Sequence, residues 1–411
     1  ATHFQSASHV NTIMAAPAAP SLLRTAIPLW RDLRVLRVFG QVVFVVVVVL
    51  VGARLYANMR ANLERQGLIT GYDFLSNPGS FDIGERLIPY AASDTYGRAF
   101  VVGMLNTVMV SVIGITFATV VGGVMGVARL SPNWLIRQIA AAYVLLIRNT
   151  PLLLQLFFWY FGVVIQLPKV KESLALSGSI FLNQRGLYLP WPRPTGIFET
   201  WQPYLLAALV APFALWLALN LIQKRTDRPL SAWWSLSLPL VPVGIAALGW
   251  ALAPSAPLAV DFPVLKGLNF KGGLRVTPEL FALLTGLVIY TGAFIAEVVR
   301  AGIQAVSKGQ TEAARALGLK PMQILRLVIF PQALRVIIPP LTSQYLNLAK
   351  NSTLAVAIGY PDLYSVAGTI FNQTGKAVEV VTIIMGSYLV VSLTTSLLMN
   401  IYNKRMALVE R

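Results

Sequence analysis

The chain has 411 residues, of which 56% are hydrophobic and only 12% are charged. Soluble domains of this total length would expose far more polar surface, so the composition predicts a polytopic membrane protein. The formal net charge of +17 comes without a recognisable RNA- or DNA-binding motif, so we expect no nucleic-acid partner. The absence of cysteine excludes a disulfide framework, a thiolate metal site and a cysteine nucleophile.

The N-terminal tail, residues 1–35, is a polar leader rich in alanine, proline and serine, and we expect it to lie in the cytoplasm. It holds the two histidines, His3 and His9, so we expect no metal site and no histidine proton relay. The first apolar segment follows between Arg37 and Arg54. This segment begins too far along the chain for a cleaved signal peptide, which predicts a retained membrane anchor.

Eight apolar stretches are long enough to cross a bilayer. They lie at 36–55, 99–128, 138–166, 204–222, 234–253, 280–299, 334–359 and 378–402. If the N-terminus is cytoplasmic, the segments on that side carry the denser lysine and arginine, and both termini lie inside. The outside segments 56–97, 167–203 and 254–279 contain many prolines and glycines and are predicted to be surface loops.

The cytoplasmic segment 300–333 carries several local helix signals. Ser307 and Gln310 have the spacing of a capping box, and the run TEAARAL strongly favours helix, which predicts a helix over about 308–317. Ala313 and Ala314 would let a second helix approach closely. Glu312 and Arg315 are spaced to form an i,i+3 ion pair on its exposed face.

Two further residues predict how this helix ends and how the next one starts. Gly318 suits the left-handed position after a helix, and Pro321 fits the first turn of a second helix that Pro331 closes. The sequence therefore predicts a rigid elbow between two spans. The alternative is an interfacial connector without a partner.

This segment closely resembles the EAA loop of bacterial ABC importer permeases. The matching residues are Glu312, Ala313, Ala314, Gly318, Val328, Phe330 and Pro331. The flanking strings YTGAFIAEVVRAGIQAVSKGQ and PQALRVIIPPL resemble the polar amino acid permeases in particular, over blocks 98–166 and 278–402. The extra first span and an extra hairpin between the blocks resemble the general L-amino acid permease branch.

The resemblance implies an all-α fold of about eight transmembrane helices around a type I ABC importer permease core, in the bacterial inner membrane. It also implies a second similar permease subunit, two copies of a separate ATPase, and an extracytoplasmic amino acid binding protein. Amino acids would pass by alternating access. ATP and magnesium would bind the partner ATPase, because this chain has no phosphate-binding loop. The string GTIFNQTGKA at 368–377 has the wrong spacing for one.

The expected organisation follows from these blocks. An anchor and outside loop occupy 36–97, and the permease core begins at 98–166. An insertion with outside loops and the extra hairpin occupies 167–277. The core then resumes at 278–411 and contains the coupling loop 303–333.

Two similar strings suggest a substrate site, RNTPLL at 148–153 and KNSTLA at 350–355. A cation at membrane depth is costly and is a functional candidate, so Arg148 with Asn149, and Lys350 with Asn351, could bind a substrate carboxylate. The hydroxyls that follow, on Thr150 and on Ser352 or Thr353, could cap restarted helices. Alternatively, the two cations pair with backbone carbonyls or reach the outer interface.

Arg300 is a further candidate for the substrate site, and Glu297, three residues before it, is the acidic residue that the sequence places within the central spans. Glu297 is a candidate ligand for a substrate ammonium group, and Tyr290, seven residues earlier, could wall the same pocket. The alternative is an ion pair between Glu297 and Arg300 that anchors the helix end.

Two other function classes remain open at this point. An ion- or proton-coupled secondary carrier would show inverted repeats and several intramembrane carboxylates, whereas a membrane anchor would need no buried Arg148 or Glu297. Neither accounts for the elbow. We therefore expect a non-catalytic permease subunit rather than an enzyme.

Overall fold

The computed structural model describes residues 33–65, 71–226 and 240–406. The chain divides into two compact units, 1–71 and 72–411. In the first unit, helix α1 (Leu33–Arg65) carries the valine run with its side chains exposed. His3, His9 and most of the predicted N-terminal tail lie outside the described residues.

The second unit is built mainly from helices. They are α2 (Tyr96–Ala128), α3 (Trp134–Arg148), α4 (Leu152–Phe157), α5 (Phe198–Thr226), α6 (Leu240–Leu252), α7 (Pro278–Gln304), α8 (Lys308–Ala316), α9 (Pro321–Ile324), α10 (Phe330–Asn351), α11 (Leu363–Thr374) and α12 (Ala377–Met406). Wider π-helical turns continue α4 over Phe158–Val164 and join α9 to α10 over Leu325–Ile329. A 3₁₀ segment, Ser352–Ile358, continues α10.

Short strands occupy the segments that the sequence predicted as outside loops. They are β1 (Leu174–Leu176), β2 (Ile180–Asn183), β3 (Gly186–Leu189), β4 (Trp191–Pro194), β5 (Leu258–Asp261), β6 (Val264–Lys266), β7 (Asn269–Lys271) and β8 (Leu274–Val276). One antiparallel sheet has the order β1-β2-β3-β8, and β4-β5 and β6-β7 form separate pairs. The end of the bundle where these strands lie is called the sheet end below.

The predicted span 138–166 is not one straight helix. It is divided into α3 and α4, which are bent by 106° with respect to each other. Pro151 lies at the break, where it has no N–H for a helical hydrogen bond and pushes the preceding residue out of the helical conformation. The amide of Gln155 holds the break by donating to the carbonyls of Ile147 and Thr150, at 2.9 and 3.0 Å.

Among the described residues, six helices are long and apolar enough to span a membrane, and the bent pair makes a seventh. The predicted count of about eight is therefore approximate. The difference is the stretch 234–253, of which the structure describes only the short apolar helix α6. Helices α5 and α6 pack as a hairpin in which the Trp201 indole donates to the carbonyl of Ala246 at 2.9 Å.

The centre of the second unit is the contact between α2 and α7. Added Cβ atoms at Gly122 and Gly126 would lie 2.5 Å from Ile295 and 2.7 Å from Val299, so only glycine permits this approach. The interface buries apolar side chains, including Leu283, Leu287 and Ile295. This packing holds the C-terminal end of α2 against the last turns of α7, where the candidate site lies.

Candidate functional site

The predicted elbow is present in the structure. Helix α8 ends where Gly318 adopts a left-handed conformation, with φ of +76°. The N–H of Gly318 donates to the carbonyl of Arg315 at 2.9 Å, and that of Leu319 donates to the carbonyl of Ala314 at 3.2 Å. These two bonds form a Schellman motif, which fixes the direction of the chain between α8 and α9.

The elbow exposes apolar side chains to solvent. Leu317 is 81% exposed and Met322 is 72% exposed, whereas Ala314 is buried. Ala313, Glu312 and Arg315 are exposed, and the latter two do not form the predicted ion pair. An exposed apolar patch flanked by charged residues is typical of a surface that binds another protein.

Two details of the predicted elbow are wrong. The Ser307 side chain makes no capping hydrogen bond, and the Gln310 side chain instead accepts from Gln332 at 3.4 Å. Pro331 does not close the second helix, which runs on through α10. The π-helical turn just before Pro331 widens the helix, so the missing N–H and the proline ring are accommodated without a stop.

A polar cavity of about 370 Å³ lies between α2, α3 and α7. It brings together three of the predicted substrate residues, Arg148, Asn149 and Glu297. Arg129 and Phe294 also line it. The bend after α3 places Arg148 and Asn149 beside α7. A straight helix would carry these two residues past α7.

Both oxygens of Glu297 are occupied in this cavity. Oε1 accepts from the Arg300 guanidinium, with Nε at 3.1 Å, and Oε2 accepts from Arg129. The three side chains are between 21% and 27% exposed, so the ion pairs are partly shielded from water. Glu297 therefore forms the ion pair with Arg300 that the sequence left as the alternative, with Arg129 as a second cation.

Arg148 has a different environment. Its guanidinium carbon lies 5.0 Å from the centre of the Phe294 ring, a cation–π arrangement. No ion pair of the described residues includes Arg148. The cavity thus contains a cation that is free to bind an anion, whereas its carboxylate is already paired.

A second cavity of about 280 Å³ shares Phe294 with the first. Its lining residues are Tyr290, Thr291, Phe294, Gln344, Asn347 and Asn351. Two of these, Tyr290 and Asn351, were predicted as substrate residues. The amide oxygens supply neutral hydrogen-bond acceptors, which suit an ammonium group.

Some predicted features fall outside the two cavities. Lys350 is exposed and lines neither of them. The hydroxyls predicted to cap restarted helices instead donate backwards. Thr150 donates to the carbonyl of Leu146, Ser352 to that of Ala349, and Thr353 to that of Lys350, at 2.8 to 2.9 Å.

Several lining residues were not predicted. Gln344 and Asn347 precede the predicted Asn351 at helical spacing within an apolar stretch, and this polar stripe could have been recognised. Tyr290, Phe294 and Glu297 likewise share one face of α7. Arg129 gave no local signal beyond being a charge at a helix end. Among the described residues, no group of three histidines or acids could hold a metal ion.

Comparisons with known proteins identify the family. The model of the binding-protein-dependent transport system inner membrane component matches residues 114–408. The chain is 48% identical over 379 residues to the putative amino-acid ABC transporter permease protein YhdX of Escherichia coli (strain K12), with 90% of this chain and 94% of that protein covered.

The chain is also 46% identical over 378 residues to the general L-amino acid transport system permease protein AapQ of Rhizobium johnstonii, with 91% and 93% covered. A crystal structure of an amino acid ABC transporter with histidines aligns with a TM-score of 0.45 and 22% identity, over 75% of this chain and 95% of that chain. The chain therefore belongs to the family of inner membrane components of binding-protein-dependent transport systems, and it is a multi-pass permease subunit of the ABC type.

Proposed function

We propose that this chain is the permease subunit of an ATP-driven importer that takes up L-amino acids across the bacterial inner membrane. Its partners are a second similar permease, two copies of an ATPase that bind ATP and magnesium, and an extracytoplasmic amino acid binding protein. The names of the two relatives, YhdX and AapQ, support amino acids as the substrate class. Both termini and the elbow face the cytoplasm, and the sheet end faces outward.

The observation that carries this proposal is the elbow. The Schellman motif at Gly318 holds α8 at a fixed angle to α9, and Leu317 and Met322 are exposed beside it. From α9 the chain continues through the π-helical turn into α10, whose residues Gln344 and Asn347 line a cavity. A push on α8 by a docked ATPase would therefore be carried along one helical path to the substrate cavities.

The two cavities that meet at Phe294 are the proposed substrate site. Arg148 binds the carboxylate common to all amino acids, because it has no anionic partner in the described structure. The amide oxygens of Gln344, Asn347 and Asn351 are placed to accept from the ammonium group. Glu297 remains a second candidate for binding that ammonium group. The ammonium group would then have to displace one of the two arginines that bind Glu297. Arg300 acts through Glu297, and Lys350 is a weaker candidate because it lines neither cavity.

In this proposal, residues 98–166 and 278–411 form the permease core, and residues 167–277 are an insertion. The close packing of α2 against α7 supports it, because these helices come from the two core blocks. The anchor and outside loop of 36–97 precede the core, and the tail 1–35 is cytoplasmic.

The test is uptake of a radiolabelled amino acid by the complex reconstituted in vesicles. We expect uptake to need ATP on the side of the elbow and the binding protein on the sheet side. Uptake should persist when ionophores collapse all ion gradients. ATP-independent uptake that follows a proton or sodium gradient would instead establish a secondary carrier.

A further inference from the structure

A completely buried carboxyl group lies at the sheet end, outside the substrate cavities. Asp362, just before α11, is 0% exposed. Its Oδ1 accepts from the backbone N–H of Ser365 at 2.8 Å, which caps α11, but its Oδ2 is shielded and has no hydrogen-bond partner. None of the ion pairs among the described residues includes Asp362. An ionised carboxylate here would be a buried charge without a cation.

The described side chains of α2 and α12 that contact this segment are uncharged. Helix α2 contributes neutral groups, since the Asn106 amide donates to the carbonyl of Pro361 and the Thr107 hydroxyl accepts from the N–H of Leu363. Helix α12 contributes the Tyr388 hydroxyl, which faces the carboxyl group and is itself buried without a hydrogen bond of normal geometry.

The loops contribute the remaining titratable groups. Tyr360 is 0% exposed, and its hydroxyl is near enough to both Asp362 and Glu85 for their charges to act on it. Arg275, whose charge acts on Glu85, lines the cavity described below and forms no ion pair with Asp362. The loss of hydration therefore favours the neutral form of Asp362.

Water reaches the immediate neighbours of Asp362. A cavity of about 440 Å³ opens at the sheet end, and both Pro361 and Ser365 line it. Ser365 is the residue whose N–H binds Asp362 Oδ1. A proton can therefore exchange between this cavity and the carboxyl group across a single layer of protein.

We propose that Asp362 is a proton-binding site, and that the bound proton keeps α11 packed against α2 and α12. Helix α2 packs closely against the start of α11, because an added Cβ at Gly103 of α2 would lie 3.0 Å from Leu363 Cα and 3.2 Å from the Asp362 carbonyl oxygen. Loss of the proton would leave an unpaired negative charge on the Asp362 carboxylate between α2, α11 and α12. The expected response is loosening of α11 at the sheet end.

The direction of the pH effect follows from the burial. Burial raises the pKa of Asp362 from 3.8 to about 7, against smaller opposing effects of hydrogen bonds from the Ser365 backbone and other donors. A carboxyl group whose pKa is raised by folding stabilises the native state fully below its unfolded pKa. That stabilisation is lost as pH rises from about 4 to about 7.

The first experiment detects the proton itself by infrared spectroscopy of the purified full-length complex. Wild type should show a protonated-carboxyl band that disappears with a midpoint near pH 7, and Asp362→Asn should lack this band. Asparagine keeps the capping acceptor and imitates the neutral form, so folding should be preserved. Asp82→Asn removes an exposed aspartate at the same end and is the matched control, which should retain the band. A wild type without such a band, or a band that persists in Asp362→Asn, would overturn the proposal.

Tyr388→Phe provides a second variant. It removes a hydroxyl that can donate to the ionised form of Asp362, so the midpoint of the band should move to higher pH. A midpoint that stays in place or falls would argue against the assignment of the band to Asp362.

A third measurement links the site to transport and rests on the proposed function. Uptake by wild-type vesicles should fall as the pH on the sheet side rises through about 7, and uptake by Asp362→Asn should not. A titrating band with pH-independent uptake would overturn the loosening of α11 but leave the proton site established. Failure of every variant to take up amino acids would overturn the proposed function instead.

Discussion

Arg129 and Glu297 lie 168 positions apart in the chain, yet their side chains form an ion pair that joins the end of α2 to the last turns of α7. Arg300 binds the other oxygen of the same carboxylate. The carboxylate therefore joins α2 to α7 beside Arg148 and Asn149. If this cavity binds the substrate as proposed, the charge of Glu297 also determines how many arginines remain free to bind it.

Replacing Glu297 by Gln tests whether this residue binds the substrate. An ammonium ligand in a partly dehydrated cavity should lose on the order of 2–5 kcal/mol of interaction. A loss of about 1.4 kcal/mol already corresponds to a tenfold weaker binding. We therefore expect binding of a radiolabelled amino acid to the purified complex to fall at least about tenfold if Glu297 is a ligand. If it serves only to pair with arginines, the loss should be about 0–1 kcal/mol.

Two comparisons separate these cases for Glu297. Glu279→Gln removes a carboxylate from the first turn of the same helix, where the Tyr160 hydroxyl donates to it at 2.9 Å, and should bind substrate normally. For a ligand, Glu297→Gln should abolish binding whether or not Arg300→Gln is present. For a structural pair, Arg300→Gln alone should reproduce part of the effect, and the double variant should match Glu297→Gln, which already loses both arginines. Wild-type affinity in Glu297→Gln would remove the residue from the site.

Arg148→Ala should weaken uptake of all carried amino acids to a similar extent, because the carboxylate that we propose it binds is common to them. The expected decrease is at least about tenfold, given the loss of a charge-assisted hydrogen bond of about 1.5–3 kcal/mol. The measurement is competition among amino acids of different side chain for uptake into vesicles.

Arg137→Ala is the matched control for Arg148, since it removes an exposed arginine from the same helix whose guanidinium donates to the carbonyl of Ser131. It should transport normally. A loss in Arg148→Ala that depends on the type of side chain, rather than being uniform, would mean that Arg148 sets selectivity instead of binding the carboxylate.

Gly318→Pro should uncouple ATP hydrolysis from transport while leaving the chain inserted. Proline cannot adopt the φ of +76° found at this position and cannot donate to the Arg315 carbonyl, so the elbow must change direction. Glu312→Arg should have the same effect by reversing a charge on the exposed face of α8. The assay is substrate-stimulated ATP hydrolysis by the reconstituted complex, together with uptake.

The control for the elbow is Gly178→Pro, which strains a glycine of similar φ, +72°, in the turn between β1 and β2. It should leave stimulated hydrolysis intact. Normal hydrolysis and uptake in both Gly318→Pro and Glu312→Arg would refute the role of the elbow in coupling.

Gly126→Ala should destabilise the contact between α2 and α7. The added Cβ would lie 2.7 Å from the Ala296 carbonyl oxygen and from Val299, so the helices must separate, at a cost of about 1–3 kcal/mol. Gly123→Ala in the same helix meets nothing within 4 Å and should be neutral or slightly stabilising. Thermal unfolding of the two purified variants is the measurement. Equal melting temperatures would show that the contact tolerates the added methyl group.

The sequence predicted best those features that depend on neighbouring residues. The end of α8 was expected at about residue 317 and lies at Ala316, because a glycine after an alanine-rich helix is a local signal. Pro151 is a similar local signal for the break near Arg148, although 138–166 was predicted as one span. The continuation of the chain past Pro331 was not predictable in this way, since a π-helical turn arises from packing rather than from a residue type.

Contacts between distant segments could not be predicted from the sequence. The ion pair of Arg129 with Glu297 depends on the glycine-mediated approach of α2 to α7, which no single segment reveals. The pairing of the short strands β3 and β8 is also non-local, because the whole of the extra hairpin lies between them. Their few residues carry little of the alternation that predicts a strand.

The pairing of β3 with β8 determines how the extra hairpin is attached to the rest of the protein. Leu189 and Leu274 are partners in this ladder, so the chain leaves the core and returns to it at neighbouring points, about 5 Å apart. Residues 190–273 are therefore inserted between two neighbouring positions of one strand pair. Pro194 and Leu258 are partners in the β4–β5 ladder, so a shortened chain in which a tight turn joins them would remove only the helical hairpin and keep Phe270 stacked on Phe181. The helical hairpin is thus attached through one short segment of sheet.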